Sequence, residues 1–410
     1  MQYALLLLNI LLLCVYTTQD DTNIVAMRYN LFLNALSGYI RVGSSQNILV
    51  FTFDTESPVT LLYDYLYLGS PSSTQIKHGN NNINVSNGIL KGILYEDSIF
   101  IEDNNFNATI AEAKGFYYNI IPSSQQVIEI DDASTLAFAF NVDNPNYSLA
   151  HLYVHNNITT TKQFGIARNI TAVYSRAHAK DGVLYIGGFP PHITQSLYDN
   201  VVYINGNSHL WSVSLDYIYI GSNYKHAYST KEYVAYLSTS KEDIVVPSDV
   251  YDKVVLRRYF GKENRHVKEH CVVEKYSDSV SCRCDKVNLF NSMSFIINDK
   301  EYLIESKYLF KQNSDTYCSF IISRNHKMKA KRIVLGIYFI WQYQTLFDYD
   351  NKCVHLYSEN RLNTVIINED YERYLQKRMI YINTALLVMA VVFLVTLLHT
   401  AMYHQSQLNK

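Results

Sequence analysis

Short apolar stretches that alternate with polar residues, cut by Gly, Asn, Asp and Ser, fill the middle of the chain. Positions 38–42, 47–53, 92–101, 182–188 and 294–297 follow this two-residue period and are rich in Val, Ile, Phe and Tyr. Alternate residues of a strand face opposite sides, so the pattern predicts half-buried strands and an all-β body. Helix signals are confined to 248 to about 258, which follows Pro247, and to the charged stretch 368–377. The two ends read differently. Residues 3–15 are apolar apart from Asn9, the length of a signal-peptide core rather than a span. Residues 380–403 carry no formal charge, and 12 of the 24 are Leu, Ile, Val or Phe. That is enough helix to cross roughly 30 Å of hydrocarbon.

These ends predict a signal peptide at 1–18, a lumenal or extracellular ectodomain, a stalk at 361–379, a transmembrane helix at 380–403 and a short tail at 404–410. Secretory-pathway or cell-surface membrane is the expected location. Asn84, Asn107, Asn146, Asn157 and Asn169 each open an Asn-x-Ser/Thr sequon, which fits N-linked glycans in that compartment. With 35 basic and 37 acidic side chains the chain has no cationic excess to spend on phosphates, so nucleic acid is not an expected partner.

The segment Ser37-Gly-Tyr-Ile-Arg-Val-Gly-Ser-Ser-Gln-Asn-Ile-Leu-Val-Phe-Thr-Phe-Asp54-Thr55-Glu56-Ser57 resembles the opening of pepsin-like aspartic proteases, where a strand pair leads into Phe-Asp-Thr-Gly-Ser. Three further stretches resemble the same family in the same order: Gly182-Val-Leu-Tyr-Ile-Gly-Gly188, Leu210-Trp211-Ser-Val-Ser-Leu215-Asp216, and the run from Ile333-Val-Leu335-Gly336 to Phe347-Asp348. The resemblance covers 31 to 359 and implies a bilobal fold, with lobes at 19–190 and 191–360. It also implies a Cys284–Cys318 disulfide. Cys271 with Cys282 is the expected second bridge, leaving Cys353 odd. A zinc site from His266, His270, Cys271, Cys282 and Cys284 is the weaker reading in an oxidising compartment. No cofactor or metal is called for.

The family's chemistry needs two aspartates, one per lobe, close enough to share a proton. Asp54 matches the first. Ser238 stands at the second, 184 residues on, followed by Thr239, Ser240 and Lys241 and then by Ile244-Val-Val-Pro247. Glu56 and Ser240 replace the two loop glycines, and Lys241 replaces the second hydroxyl residue. The replacement charges suggest that Lys241 pairs with Glu56 or Asp54. In the hairpin that covers the family's cleft, Val85 takes the place of a tyrosine shortly before Gly88, beside the Asn84 sequon. The expected function is therefore a catalytically inactive, membrane-anchored ectodomain that binds a protein partner or serves as an accessory subunit of a larger membrane assembly. Its cleft is expected to be closed to extended peptides. The alternative is an active membrane-anchored aspartic endopeptidase that combines Asp54 with a non-standard second acid, Glu242 or Asp243.

Overall fold

The computed structural model describes residues 24–364, apart from 33–34, 45, 64–75, 86–87, 102–103, 118–133, 141–147, 169–180, 207–208, 222–226, 262–264, 274–278, 313, 315 and 326–330, together with 384, 387 and 389. Residues 1–363 form one compact unit and 364–410 another. The signal stretch, the stalk beyond residue 364 and all but three positions of the expected span lie outside the described residues. Among the described residues no helix is long and apolar enough to cross a membrane.

Every stretch read as a strand is one, in Ala35–Val42, Asn47–Asp54, Gly88–Ile101, Asp181–Ile186 and Met293–Ile297. Six antiparallel strands make the base of the molecule, in the spatial order Tyr198–Tyr203, Cys353–Ser358, Gln344–Asp348, Gln163–Arg168, Asp181–Ile186 and Val25–Phe32. They draw on both halves of the chain, which explains why the matches to one family run so far along the sequence. Phe164 stacks on Phe347 at 4.5 Å between centroids, and Trp211 meets Phe347 edge-on at 5.0 Å. The Trp211 indole N–H donates to Phe138 O at 2.7 Å, so the polar edge of this buried ring is satisfied. Each such aromatic contributes about 1.5–3 kcal/mol through burial.

Above this base the two halves repeat one construction. In the first, Asn47–Asp54 runs parallel to Ser134–Ala137, from Phe51 opposite Ser134 to Asp54 opposite Ala137, and Thr60–Tyr63 meets the same strand antiparallel at Leu61 and Thr135. In the second, Val234–Leu237 runs parallel to Arg332–Leu335, and Ile244–Pro247 meets it antiparallel at Val245 and Val334. The turns after Asp54 and after Leu237 therefore leave equivalent frameworks. Gly336 is required where the second framework closes. A Cβ there would lie 2.1 Å from Asp243 O and 2.6 Å from Lys241 O, both backbone atoms that cannot move aside cheaply.

Both expected bridges form. Cys271–Cys282 links directly opposed strand positions, and Cys284–Cys318 closes the second. Cys353 is free and buried. The segment after Pro247 is helical as predicted, three α-helical residues continuing into a π-helix at Tyr251–Tyr259. The expectation that helices were confined to two places is corrected by short helices at Leu149–His155, Arg265–His270 and Ile337–Gln342.

Candidate functional site

Two turns meet at the centre of the body, 54–57 from the first framework and 238–241 from the second. Thr55 and Thr239, each 1 % exposed, lock them together. The Thr55 N–H donates to Thr239 Oγ1 at 3.1 Å, and the Thr239 N–H donates to Thr55 Oγ1 at 3.1 Å. Each hydroxyl then gives its own proton to a strand carbonyl, Thr55 to Leu237 O at 3.2 Å and Thr239 to Phe53 O. Every donor in the lock has an acceptor. A buried network of this kind is worth about 1 kcal/mol per bond and costs more when one partner is deleted.

The turns also share a local bond. The Glu56 N–H donates back to Asp54 Oδ1 at 2.7 Å, and the Ser240 N–H donates back to Ser238 Oγ at 3.2 Å. This structural equivalence puts Ser238 where a second aspartate would stand. A serine is shorter than an aspartate and carries no charge, so the position has room and lacks an acid. Glu56, 7 % exposed, reaches across from the first turn into that room. Its Oε1 accepts the Ser238 hydroxyl at 2.5 Å and the Ser240 hydroxyl at 2.8 Å, and its Oε2 accepts the Tyr236 hydroxyl at 3.4 Å. Ser238 Oγ and Ser240 Oγ lie 3.0 Å apart, a spacing set by their common acceptor.

The electrostatics follow from this crowding. Burial raises the Asp54 carboxyl most, and the Glu56 charge raises it further. Backbone N–H groups of Glu56 and Ser57 and the charge of Lys241 oppose that shift, leaving Asp54 at about 7. Burial and the neighbouring Glu56 also hold the Tyr236 phenol well above its ordinary range, so it remains a donor.

Several expected partners lie elsewhere. Lys241 is exposed and makes no ion pair among the described residues, so its expected pairing with Glu56 or Asp54 is corrected; it acts on Asp54 only through its field. Glu242 and Asp243, the alternative candidates for a second acid, are bonded to other groups. Both are held by Lys311 Nζ at 2.9 Å, and Glu242 Oε1 also accepts the Tyr338 hydroxyl at 2.8 Å. Burial pushes the Asp243 carboxyl up while Lys311 pulls it back. Ser57 donates its hydroxyl to Val59 O at 2.7 Å.

The covering hairpin is present, with Ile76–Val85 paired to Gly88–Ile101 and Val85 opposite Gly88, although the turn 86–87 and the side chains at Asn84 and Val85 lie outside the described residues. Asn107 and Asn157 are exposed, and Asn146 and Asn169 lie outside the described residues. Sequence reasoning missed Tyr236, Lys311 and Tyr338, as well as the direction Glu56 takes. The signal for Glu56 was present in the run Ser238-Thr239-Ser240, a pair of hydroxyls two residues apart with a matching acid two residues after Asp54.

The family model for eukaryotic aspartyl proteases matches residues 37–358. The aspartic protease Bla g 2 of Blattella germanica is 25% identical over 202 residues, 47% of this chain and 52% of that protein. The chain thus spans about half the length of this curated relative. The crystal structure of the aspartic proteinase from Irpex lacteus superposes with a TM-score of 0.62 over 81% of this chain and 96% of that chain; at 14% identity the likeness is one of fold.

Proposed function

The chain belongs to the eukaryotic aspartyl proteases, and from that membership we propose that it is a member without peptidase activity, acting as a membrane-anchored binding ectodomain or accessory subunit. The observation that carries this reading is the Glu56 carboxylate seated at the second acid's position under three hydroxyl donors. Peptide hydrolysis in this family needs one carboxylate to take a proton from water while the other gives one to the substrate carbonyl. Both must face the same water. Asp54 keeps its backbone donor and a raised affinity for a proton. Glu56 spends the lone pairs of one oxygen on Ser238 and Ser240, and its other oxygen meets Tyr236, so three of its roughly four acceptor sites are turned to the protein.

A second reading has one observation in its favour: two carboxylates still interact at the site, and Asp54 is raised to about 7 by burial first and by the Glu56 charge second. An active enzyme would then use Asp54 with Glu56, in place of Asp54 with Glu242 or Asp243. Anchoring rests on the apolar stretch 380–403 and the signal-like stretch 3–15. The binding role, with a protein partner or a membrane complex, follows from a folded ectodomain that keeps the scaffold and loses the acid pair. The test is cleavage of a diverse peptide pool by the full chain in detergent between about pH 2 and 7. No turnover above that of Asp54→Ala is expected. Cleavage that Asp54→Ala abolishes would overturn the proposal, and its loss in Glu56→Gln would establish the second reading.

A further inference from the structure

The edge of the base sheet carries a second cluster, independent of the Asp54 turns. On the Cys353–Ser358 strand Val354 and Leu356 are fully buried in the core, so Cys353, His355 and Tyr357 share the other face. Asp348 stands directly opposite Cys353 on one neighbouring strand, and Asp199 stands opposite Tyr357 on the other. Strand register alone therefore gathers a thiol, an imidazole and two carboxylates on one face.

We propose that Asp348, Cys353 and His355 form a binding site for a zinc-like divalent cation, with Asp199 as a positioning residue. One donor atom from each of the three lies within 4.8 Å of the others. Cys353 Sγ is 3.5 Å from His355 Nε2, and Nε2 is 3.8 Å from Asp348 Oδ2. Ligands bound at 2.0–2.3 Å in a tetrahedron are separated by about 3.3–3.8 Å, so little movement is needed to close on an ion. His355 Nδ1 lies 3.0 and 2.9 Å from the two Asp199 oxygens. A proton on Nδ1 donated to that carboxylate leaves the Nε2 lone pair aimed at Sγ and at the Asp348 carboxylate. In that tautomer the Cys353 thiol can donate to Nε2 across 3.5 Å; once the thiol proton is lost, a thiolate, the Nε2 lone pair and a carboxylate converge on one point, the donor set a soft divalent cation takes. The carboxylate–imidazole–metal relay is the usual way a ligating histidine is oriented.

Asp348 is likewise held in place. Its Oδ2 accepts from Gln163 Nε2 at 2.6 Å and from Asn351 Nδ2 at 2.8 Å, and its Oδ1 from the Asn351 N–H at 2.8 Å. Asp348 and Cys353 are shielded from water, whereas the His355 side chain is 17% exposed, which leaves a path for entry and for a fourth ligand from solvent. One thiolate, one imidazole and one carboxylate suit zinc better than calcium or magnesium, which prefer oxygen alone. Binding would release the Cys353 thiol proton to solvent as the sulfur–metal bond forms.

The test uses the full chain in detergent, purified without chelator, then stripped and reloaded with Zn²⁺ or Co²⁺. The expected result is about one tightly held equivalent per chain, with a thiolate-to-cobalt absorption band that disappears in Cys353→Ser. His355→Ala should lose the ion as well. Asp199→Asn changes an exposed side chain and should fold normally, keep the thiolate band and weaken affinity about 10- to 100-fold. Absence of a tight equivalent, cobalt bound without a thiolate band, undiminished binding by Cys353→Ser, or unchanged affinity in Asp199→Asn would each overturn the assignment.

Discussion

The two central turns have the same backbone and opposite chemistry. In 54–57 the first side chain is an acid that receives a backbone N–H two residues on, and in 238–241 it is a serine that receives the same bond. The threonines that follow are interchangeable in role, each giving a proton to the other half's strand and accepting the other's N–H. The comparison separates what the fold requires from what the reaction requires. Loss of the lock would leave buried polar groups unpaired in both halves, whereas loss of one aspartate leaves room that a neighbouring glutamate fills. Scaffold and catalysis therefore diverge independently at adjacent residues.

Closure of the two frameworks gives the largest expected effect. Ala137, opposite Asp54, tolerates a Cβ, and Gly336, one position past the Leu237–Leu335 pair, does not. Gly336→Ala should cost upwards of about 4 kcal/mol or prevent folding, while Ala137→Gly should cost about 1 kcal/mol, as read by denaturant unfolding. Equal costs would break the analogy between the halves at that point. Next comes the lock. Thr239→Ala strands the Thr55 N–H and Phe53 O, and a loss of about 2–4 kcal/mol is expected, matched within error by Thr55→Ala. A clear difference between the two would show that the lock is not symmetric in energy.

How much of this was legible in the sequence depends on the range of the interaction. The strands were readable because alternation is local, and the Asp54 and Ser238 turns were readable because the family's spacing is kept. Ile337–Gln342 was not readable as a helix: Ile-Tyr-Phe-Ile-Trp-Gln has no polar face, and four of its six residues are buried, so the helical period leaves no trace. Lys241 looked like the partner of Glu56 because both were unusual and near in the alignment. The direction of a side chain in a turn is set by tertiary contacts, and three hydroxyls outcompeted the exposed ammonium. The Asp348, Cys353 and His355 cluster was likewise invisible, because its members meet through strand pairing that no spacing announces.

The chemical half of the comparison is sharpened by pH. Asp54 sits at about 7 in the folded chain against 3.8 for the ordinary group. Below about pH 4 both folded and unfolded chains hold the proton; as pH rises towards 7 the unfolded chain loses it first, so stability falls across that window and levels off above it. Asp54→Asn removes this dependence, and the variant should gain on the parent by on the order of 2–4 kcal/mol between about pH 4 and 8. A parallel pair of pH–stability curves would contradict the raised carboxyl. Glu56→Gln in the parent should shift the falling limb to lower pH, since the Glu56 charge raises Asp54. The smallest effect belongs to Ser238→Ala, which deletes one donor to Glu56 while Ser240 and Tyr236 remain; about 1 kcal/mol is expected in the same unfolding assay.

The central claim is that the second acid's place is filled by Glu56 and closed to a shared water. A statine-type transition-state analogue, whose hydroxyl takes the place of the water between two carboxylates, reads that space without requiring turnover. Calorimetric titration of the full chain with such an analogue at about pH 4 should give no measurable binding, with a Kd weaker than about 1 mM. Binding at micromolar Kd or tighter, lost in Asp54→Ala, would contradict the account.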